Sequence, residues 1–181
     1  TKIVFNWTTS SSTQASALGP AVTLNTWNHV AVSTLTNGTV YFALNGTVTS
    51  STGNTFTNCT GSQGATWYLG VNQSIYDVSF NGYISNLRVL NGTALYTANY
   101  TVPTAPLTAI TNTIFLTAQS NRFRDNSANN YTLTVSSVPQ VQKFSPFATV
   151  TLPTYYSGYF DGTGDYLTLP TSSAFSFGKS F

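Results

Sequence analysis

The chain has 181 residues, of which only 6% are charged, and six basic against four acidic side chains leave a net charge of +2. All four acids are aspartates, so the polar surface must be built from Thr, Ser, Asn and Gly, unlike an ordinary cytosolic enzyme with about 25% charged residues. Hydrophobic residues at 41% and aromatics at 14% are enough to bury one substantial core, which excludes a disordered chain.

Strand signals recur along the chain: 2–7 (KIVFNW), 29–35 (HVAVSTL), 39–44 (TVYFAL), 66–70 (TWYLG), 82–90 (GYISNLRVL), 113–116 (TIFL), 131–135 (YTLTV), 158–160 (GYF) and 165–169 (DYLTL). Each is rich in β-branched or aromatic residues and bounded by turn formers. The segments 29–35 and 39–44 are joined through Asn37-Gly38, a dipeptide suited to the positive φ angles of a tight hairpin. Further Asn-Gly pairs stand at 45–46, 81–82 and 91–92. Helical periodicity is nearly absent, with room for one short turn over Ala94–Tyr100. Pro103 and Pro106 then open an extended connector that runs through 107–113. This pattern predicts an all-β, antiparallel β-sandwich. Pro139, Pro146 and Pro153 mark 136–156 as a linker or edge-hugging arm, which places most of one sandwich in residues 1–135 and a new start at 157–181.

The succession Trp27-Asn28-His29-Val30-Ala31-Val32, Val40-Tyr41-Phe42-Ala43-Leu44-Asn45-Gly46, Tyr68-Leu69-Gly70 and Phe80-Asn81-Gly82-Tyr83-Ile84-Ser85-Asn86-Leu87-Arg88-Val89 resembles the second half of a laminin-G-like, concanavalin-A-like jelly roll, with its core signature at 27–100. The later Gly92-Thr93-Ala94-Leu95-Tyr96, Asp125-Asn126-Ser127, Phe144-Ser145-Pro146-Phe147 and Tyr159-Phe160-Asp161-Gly162-Thr163-Gly164-Asp165-Tyr166-Leu167 resemble tandem modules of phage and environmental viral structural proteins. In that family the FDGTGDYL strand opens a module, whereas here it stands near the C-terminus. Three arrangements follow: a tandem array cut out of register, strand exchange with a neighbouring subunit, or closure of the same sandwich as a circular permutant. Under strand exchange Tyr159, Phe160, Tyr166, Leu167 and Leu169 would form the assembly surface. The chain contains no Met, so Thr1 is not a translation start and a longer parent polypeptide is expected.

Basic residues are scattered except for Arg122 and Arg124, which argues against nucleic-acid binding by phosphate neutralisation. The single Cys59 excludes an internal disulfide framework and reads as a small buried residue, with an intermolecular bridge as the sharper alternative. No apolar run reaches the roughly 18 residues of a membrane span, and no leader pattern is visible. Sequons at Asn6, Asn37, Asn45, Asn58, Asn72, Asn91, Asn99 and Asn130 are expected by chance in so Asn- and Thr-rich a chain, and they matter only under secretory glycosylation.

Glycoside hydrolysis calls for two positioned carboxyl groups, and only Asp161 and Asp165 lie near each other, with Asp77 and Asp125 apart. Both sit in a Gly-rich turn, where aspartate favours its own backbone, so no catalytic residues are assigned and the protein is read as a non-enzyme. The same pair is the candidate calcium site, yet Ca²⁺ takes about six to eight oxygens and turn chemistry is the stronger reading; no other cofactor is expected. Asp125 with Asn126 and Asn129 reads as a plain turn, and His29 as a satisfied structural histidine.

Glycan binding, the usual task implied by the resemblance, would use exposed tyrosines that stack on sugar faces: Tyr155, Tyr156, Tyr76 and Tyr83, with Tyr96 and Tyr100 as further candidates. Trp27 and Trp67 are assigned to the core. The expected function is a structural and adhesive protein of a viral fibre, capsid surface or extracellular filament, located at the virion surface or outside the cell. Its expected partners are copies of itself, adjacent modules and cell-surface glycans. The alternative is a secreted carbohydrate-binding module attached to a polysaccharide-degrading enzyme.

Overall fold

The computed structural model describes residues 1–8, 14–54, 66–71, 79–147 and 157–172. Among them the chain forms β1 (Lys2–Thr8), β2 (Gln14–Ala21), β3 (Val30–Thr34), β4 (Val40–Leu44), β5 (Thr47–Ser51), β6 (Trp67–Leu69), β7 (Asn81–Ile84), β8 (Leu87–Leu90), β9 (Thr113–Thr117), β10 (Thr134–Ser136), β11 (Gln140–Gln142), β12 (Ser157–Asp161) and β13 (Tyr166–Leu169). The architecture is an all-β antiparallel sandwich. Two compact units are present: one spans Thr1–Ser62 and Leu90–Pro103, the other Gln63–Val89 and Thr104–Phe175, within the described residues. Each unit draws on separate stretches of the chain, because pairing between distant strands, and not chain continuity, sets where contacts concentrate.

In the first unit β1 pairs with β2, and β4 lies between β3 and β5. Alternation along β1 turns Ile3, Phe5 and Trp7 to one face, where they meet Ala17 of β2 and Val32, Val40 and Phe42 of the second sheet. Phe42 is 1% exposed, and a Cβ built on Gly19 would lie 2.5 Å from its ring, so β2 approaches the ring closely only because position 19 has no side chain. The β3–β4 turn departs from expectation in one detail. Only Gly38 takes a positive φ, 83°, while Asn37 accepts the Thr39 N–H on its side-chain oxygen. The β4–β5 turn is the Asn-Gly turn with both residues at positive φ, Asn45 at 49° and Gly46 at 90°. The short helical turn expected over Ala94–Tyr100 does not form. Asn99 instead accepts the Val48 N–H, and the Tyr100 N–H reaches the Gly46 carbonyl, drawing this stretch out along the turn.

In the second unit the segment 82–90 is two strands, not one. Asn86 breaks it with φ 58°, donates its N–H to Ala118 and accepts the Leu107 N–H, so the break anchors the Pro-flanked connector. Two three-stranded sheets are built in the orders β11-β12-β7 and β10-β13-β6. The C-terminal strands thus supply the central strand of both, pairing within their own chain. The proline-bearing stretch 136–156 holds β11 as an edge strand, a position where its flanking prolines remove no ladder bond.

Asp125 is fully buried, and its carboxylate accepts four hydrogen bonds: Leu116 N–H and Ser127 N–H on Oδ1, Ser127 O–H and Tyr131 N–H on Oδ2. The expected plain turn is therefore a buried clasp that sews 125–131 onto β9.

Phe42→Ala should destabilise the fold by about 3–5 kcal/mol through the cavity it leaves, read from the urea unfolding midpoint. Asp125→Ala should cost about 3 kcal/mol in the same measurement, because three backbone N–H groups and a hydroxyl lose their acceptor at once.

Candidate functional site

The antiparallel register of β7, β12 and β11 places Tyr83 opposite Tyr159, and Tyr159 opposite Gln140, in one row across the sheet. Residues directly opposite point to the same face, and neighbours along a strand to the other. Burial follows that rule. Gly158 and Phe160 of β12 are buried, whereas Tyr159 between them is half-buried, Tyr83 is 38% exposed and Gln140 is exposed. Two residues along the strands, Asn81 faces Asp161, and both are exposed. The outward face therefore carries two tyrosines, two amides and one carboxylate.

Phe144, just beyond β11, extends the row. Its ring meets Tyr83 at 4.8 Å between centroids with planes inclined by 63°, and Tyr83 meets Tyr159 at 5.0 Å and 42°. Phe144 remains 56% exposed, while its carbonyl accepts the Ser157 hydroxyl, which fixes the backbone that carries the ring. Gln142 donates from its side-chain amide to the Gln140 side-chain oxygen at 3.0 Å, orienting the Gln140 amide at the border of the row. Exposed aromatic rings beside hydroxyl-matching amides and a carboxylate are the groups that hold a sugar: ring faces pack against C–H groups and polar side chains take the hydroxyls.

Of the residues expected to bind glycan, Tyr83 lies in this row, whereas Tyr76, Tyr155 and Tyr156 lie outside the described residues, as does Cys59. The residues expected at an assembly surface divide by alternation. Tyr159 joins the outward row, and Phe160, Leu167 and Leu169 are 1%, 1% and 4% exposed inside the chain's own second unit. Tyr166 is half-buried against Tyr68 at 5.5 Å. Asn81 and Phe144 stood in the sequence only as parts of motifs and Gln140 in none, so none of the three was read as a binding residue. The alternating amides of Gln140-Val141-Gln142 were the available signal, masked by the surrounding prolines.

Asp161 and Asp165 occupy different environments. Asp161 is exposed and accepts the Thr163 N–H at 2.7 Å on Oδ1. Asp165 is 1% exposed, and its oxygens accept the Val138 N–H at 2.9 Å and the Asp161 N–H at 3.1 Å. Among the described residues no group of three His, Cys, Asp or Glu side chains converges on one point.

A second aromatic cluster lies in the first unit. The His29 ring meets Tyr100 with Nδ1 2.5 Å from the hydroxyl, and Tyr96 stands edge-on to His29 at 5.6 Å and against Tyr100 at 4.1 Å. The His29 N–H donates to Asn45, whose own N–H returns to the His29 carbonyl. Burial holds the Tyr100 phenol above the ordinary tyrosine value of 10.0, offset in part by a backbone hydrogen bond with Gly46 and reinforced by Tyr96. Trp27 and Trp67, assigned to the core, are half-buried.

A laminin-G family model, that of the Concanavalin A-like lectin/glucanases superfamily, matches residues 1–98. Neither the curated proteins nor the solved structures yield a match.

Asp165→Ala should lower stability by about 2 kcal/mol, since the backbone N–H groups of Val138 and Asp161 lose their acceptor, visible as a lower urea midpoint. A raised tyrosine pKa favours the neutral phenol in the fold, so this contribution is complete below pH 10 and fades as pH climbs through the raised value. Tyr100→Phe should therefore remove a step above the ordinary tyrosine value from a spectrophotometric tyrosinate titration.

Proposed function

Because the chain belongs to the laminin-G-like branch of the Concanavalin A-like lectin/glucanases superfamily, we propose that it is a non-enzymatic adhesive module that holds glycans on the outward face of β7, β12 and β11. The observation that carries this reading is the row in which the Tyr83 ring meets both Tyr159 and Phe144, with Tyr83 and Phe144 exposed and Tyr159 half-buried, bordered by Asn81, Asp161 and Gln140. Each aromatic is held by a strand or by a backbone hydrogen bond at its base, so the surface is ordered before a ligand arrives and little conformational entropy is lost on binding. Lectin-type domains of this superfamily are usually non-catalytic, and the two neighbouring aspartates accept hydrogen bonds from backbone N–H groups of their own turns.

The setting of this module is the surface of a virion, a viral fibre or an extracellular filament, where copies of the chain or adjacent modules stand side by side. A chain with 6% charged residues and no glutamate supports that setting, because closely packed neighbours then meet with little like-charge repulsion. Antibody labelling of the native source under the electron microscope would place the chain on such a particle or remove it from there.

The glycan reading is tested with Tyr83→Ala and Tyr159→Ala. Each should weaken retention of the labelled chain on glycan-bearing cells by about tenfold, by loss of the stacking face, with the thermal unfolding midpoint nearly unchanged. Cell binding that both variants retain in full would remove this face from consideration.

A further inference from the structure

The row of Tyr83, Tyr159 and Phe144 also restricts the class of glycan, an inference that rests on the adhesive reading above. Charge is the first restriction. The strands that form the face are Asn81-Gly82-Tyr83-Ile84, Gln140-Val141-Gln142 and Ser157-Gly158-Tyr159-Phe160-Asp161, which contain one acid and no base. A sulfate or carboxylate on the sugar would approach Asp161 and find only neutral amides and phenols on the face, with no charge-assisted partner to offset the loss of its hydration. Lys143, exposed between Gln142 and Phe144, is the one cation adjoining the row in sequence.

Ring geometry is the second restriction. Tyr159 and Tyr83 are inclined by 42° and Tyr83 and Phe144 by 63°, so the three rings do not lie in one plane. Strands of a twisted sheet rotate by about 20–25° from one to the next, and side chains that stand on them inherit that rotation. The flat surface of a crystalline polysaccharide would touch one ring and stand off from the others. A single chain can rotate from one sugar to the next and present a face to each ring in turn.

We infer that the face binds a neutral glycan as a single soluble chain. The sugar rings lie across the strands on Tyr83 and Tyr159, and the hydroxyls meet Asp161, Asn81 and Gln140. Asp161 accepts hydroxyl hydrogens with its carboxylate, and the side-chain amides of Asn81 and Gln140 both donate and accept.

The test combines a printed array of neutral and acidic glycans with sedimentation on crystalline cellulose, using the full chain and three variants. Neutral soluble glycans should bind. Tyr159→Ala should weaken them by about tenfold and Asp161→Asn by about threefold, as expected for loss of a stacking face and of one charged acceptor. Lys143→Gln should leave them unchanged. Preference for sulfated or carboxylated glycans, lost in Lys143→Gln, would overturn the neutral class while leaving the adhesive reading intact. Sedimentation with cellulose stronger than binding to any soluble chain would overturn the single-chain geometry. Neutral binding that Tyr159→Ala and Asp161→Asn both leave unchanged would place the glycan elsewhere. An array with no bound glycan and no sedimentation would overturn the adhesive reading itself.

Discussion

The second unit depends on one buried carboxylate. Asp165 accepts the N–H of Asp161 across its own turn and the N–H of Val138 from the connection between β10 and β11. The first bond bends the chain from β12 into β13, and the second ties the two edge strands at their junction. Each is a charge-assisted bond from a backbone donor to a carboxylate that is 1% exposed, so a buried acceptor is left short of a partner if the arrangement is half-formed. With that junction set, β12 lies between β11 and β7, and β13 between β10 and β6. Asp125 holds the 125–131 loop to β9 by the same chemistry, with four donors in place of two. A chain with only 6% charged residues thus uses two of its aspartates as acceptors for the backbone.

Core and outward aromatic face are built by the same strand. In β12, Phe160 points inward and is 1% exposed, its ring close enough to Gly70 that a Cβ there would lie 2.5 Å away. One residue earlier, Tyr159 points outward and pairs with Tyr83. A slip of one residue in register would exchange these roles, burying the tyrosine hydroxyl and exposing the phenylalanine. The positions of Gly70 and Gly158 oppose such a slip, because they leave room for the Phe160 ring and for Phe123 only in the observed register. The packing that stabilises the sheet therefore also orders the surface proposed to meet the glycan.

Legibility in the sequence varied with local chemistry. Strands such as β1, β3, β4 and β13, rich in Val, Ile, Leu and aromatics, could be read directly, and the Asn-Gly turn at 45–46 has the backbone its residues call for. β2, with the sequence QASALGPA, carries small residues and a proline that mask it; it is a strand because Gly19 and Ala17 let it lie against Phe42. β5, TVTSS, and β11, QVQ, are too short and polar to stand out, and exist because a neighbouring strand offers them a ladder. Asn86 ended a strand that its β-branched and aromatic neighbours favoured, by entering the left-handed region and offering its side chain to Leu107.

Sequence alone determined the class: few charges, frequent β-branched residues and repeated turn dipeptides leave an antiparallel sandwich as the way to bury the apolar surface, and the order of the WNHVAV, LNG and FNGYISNLRV segments carries the family. Tyr83 was also legible as an exposed aromatic, since period-two alternation in NGYI turns it away from Ile84. What only the tertiary structure decided was which distant segments meet. Three arrangements of 157–181 were compatible with the order of segments, and in this chain 157–172 forms long-range ladders with β6, β7, β10 and β11. That same pairing brought Tyr83, Phe144 and Tyr159 into one row, although they are scattered along the chain. Alternation tells which face a residue takes, but only the register of paired strands tells which residues share that face.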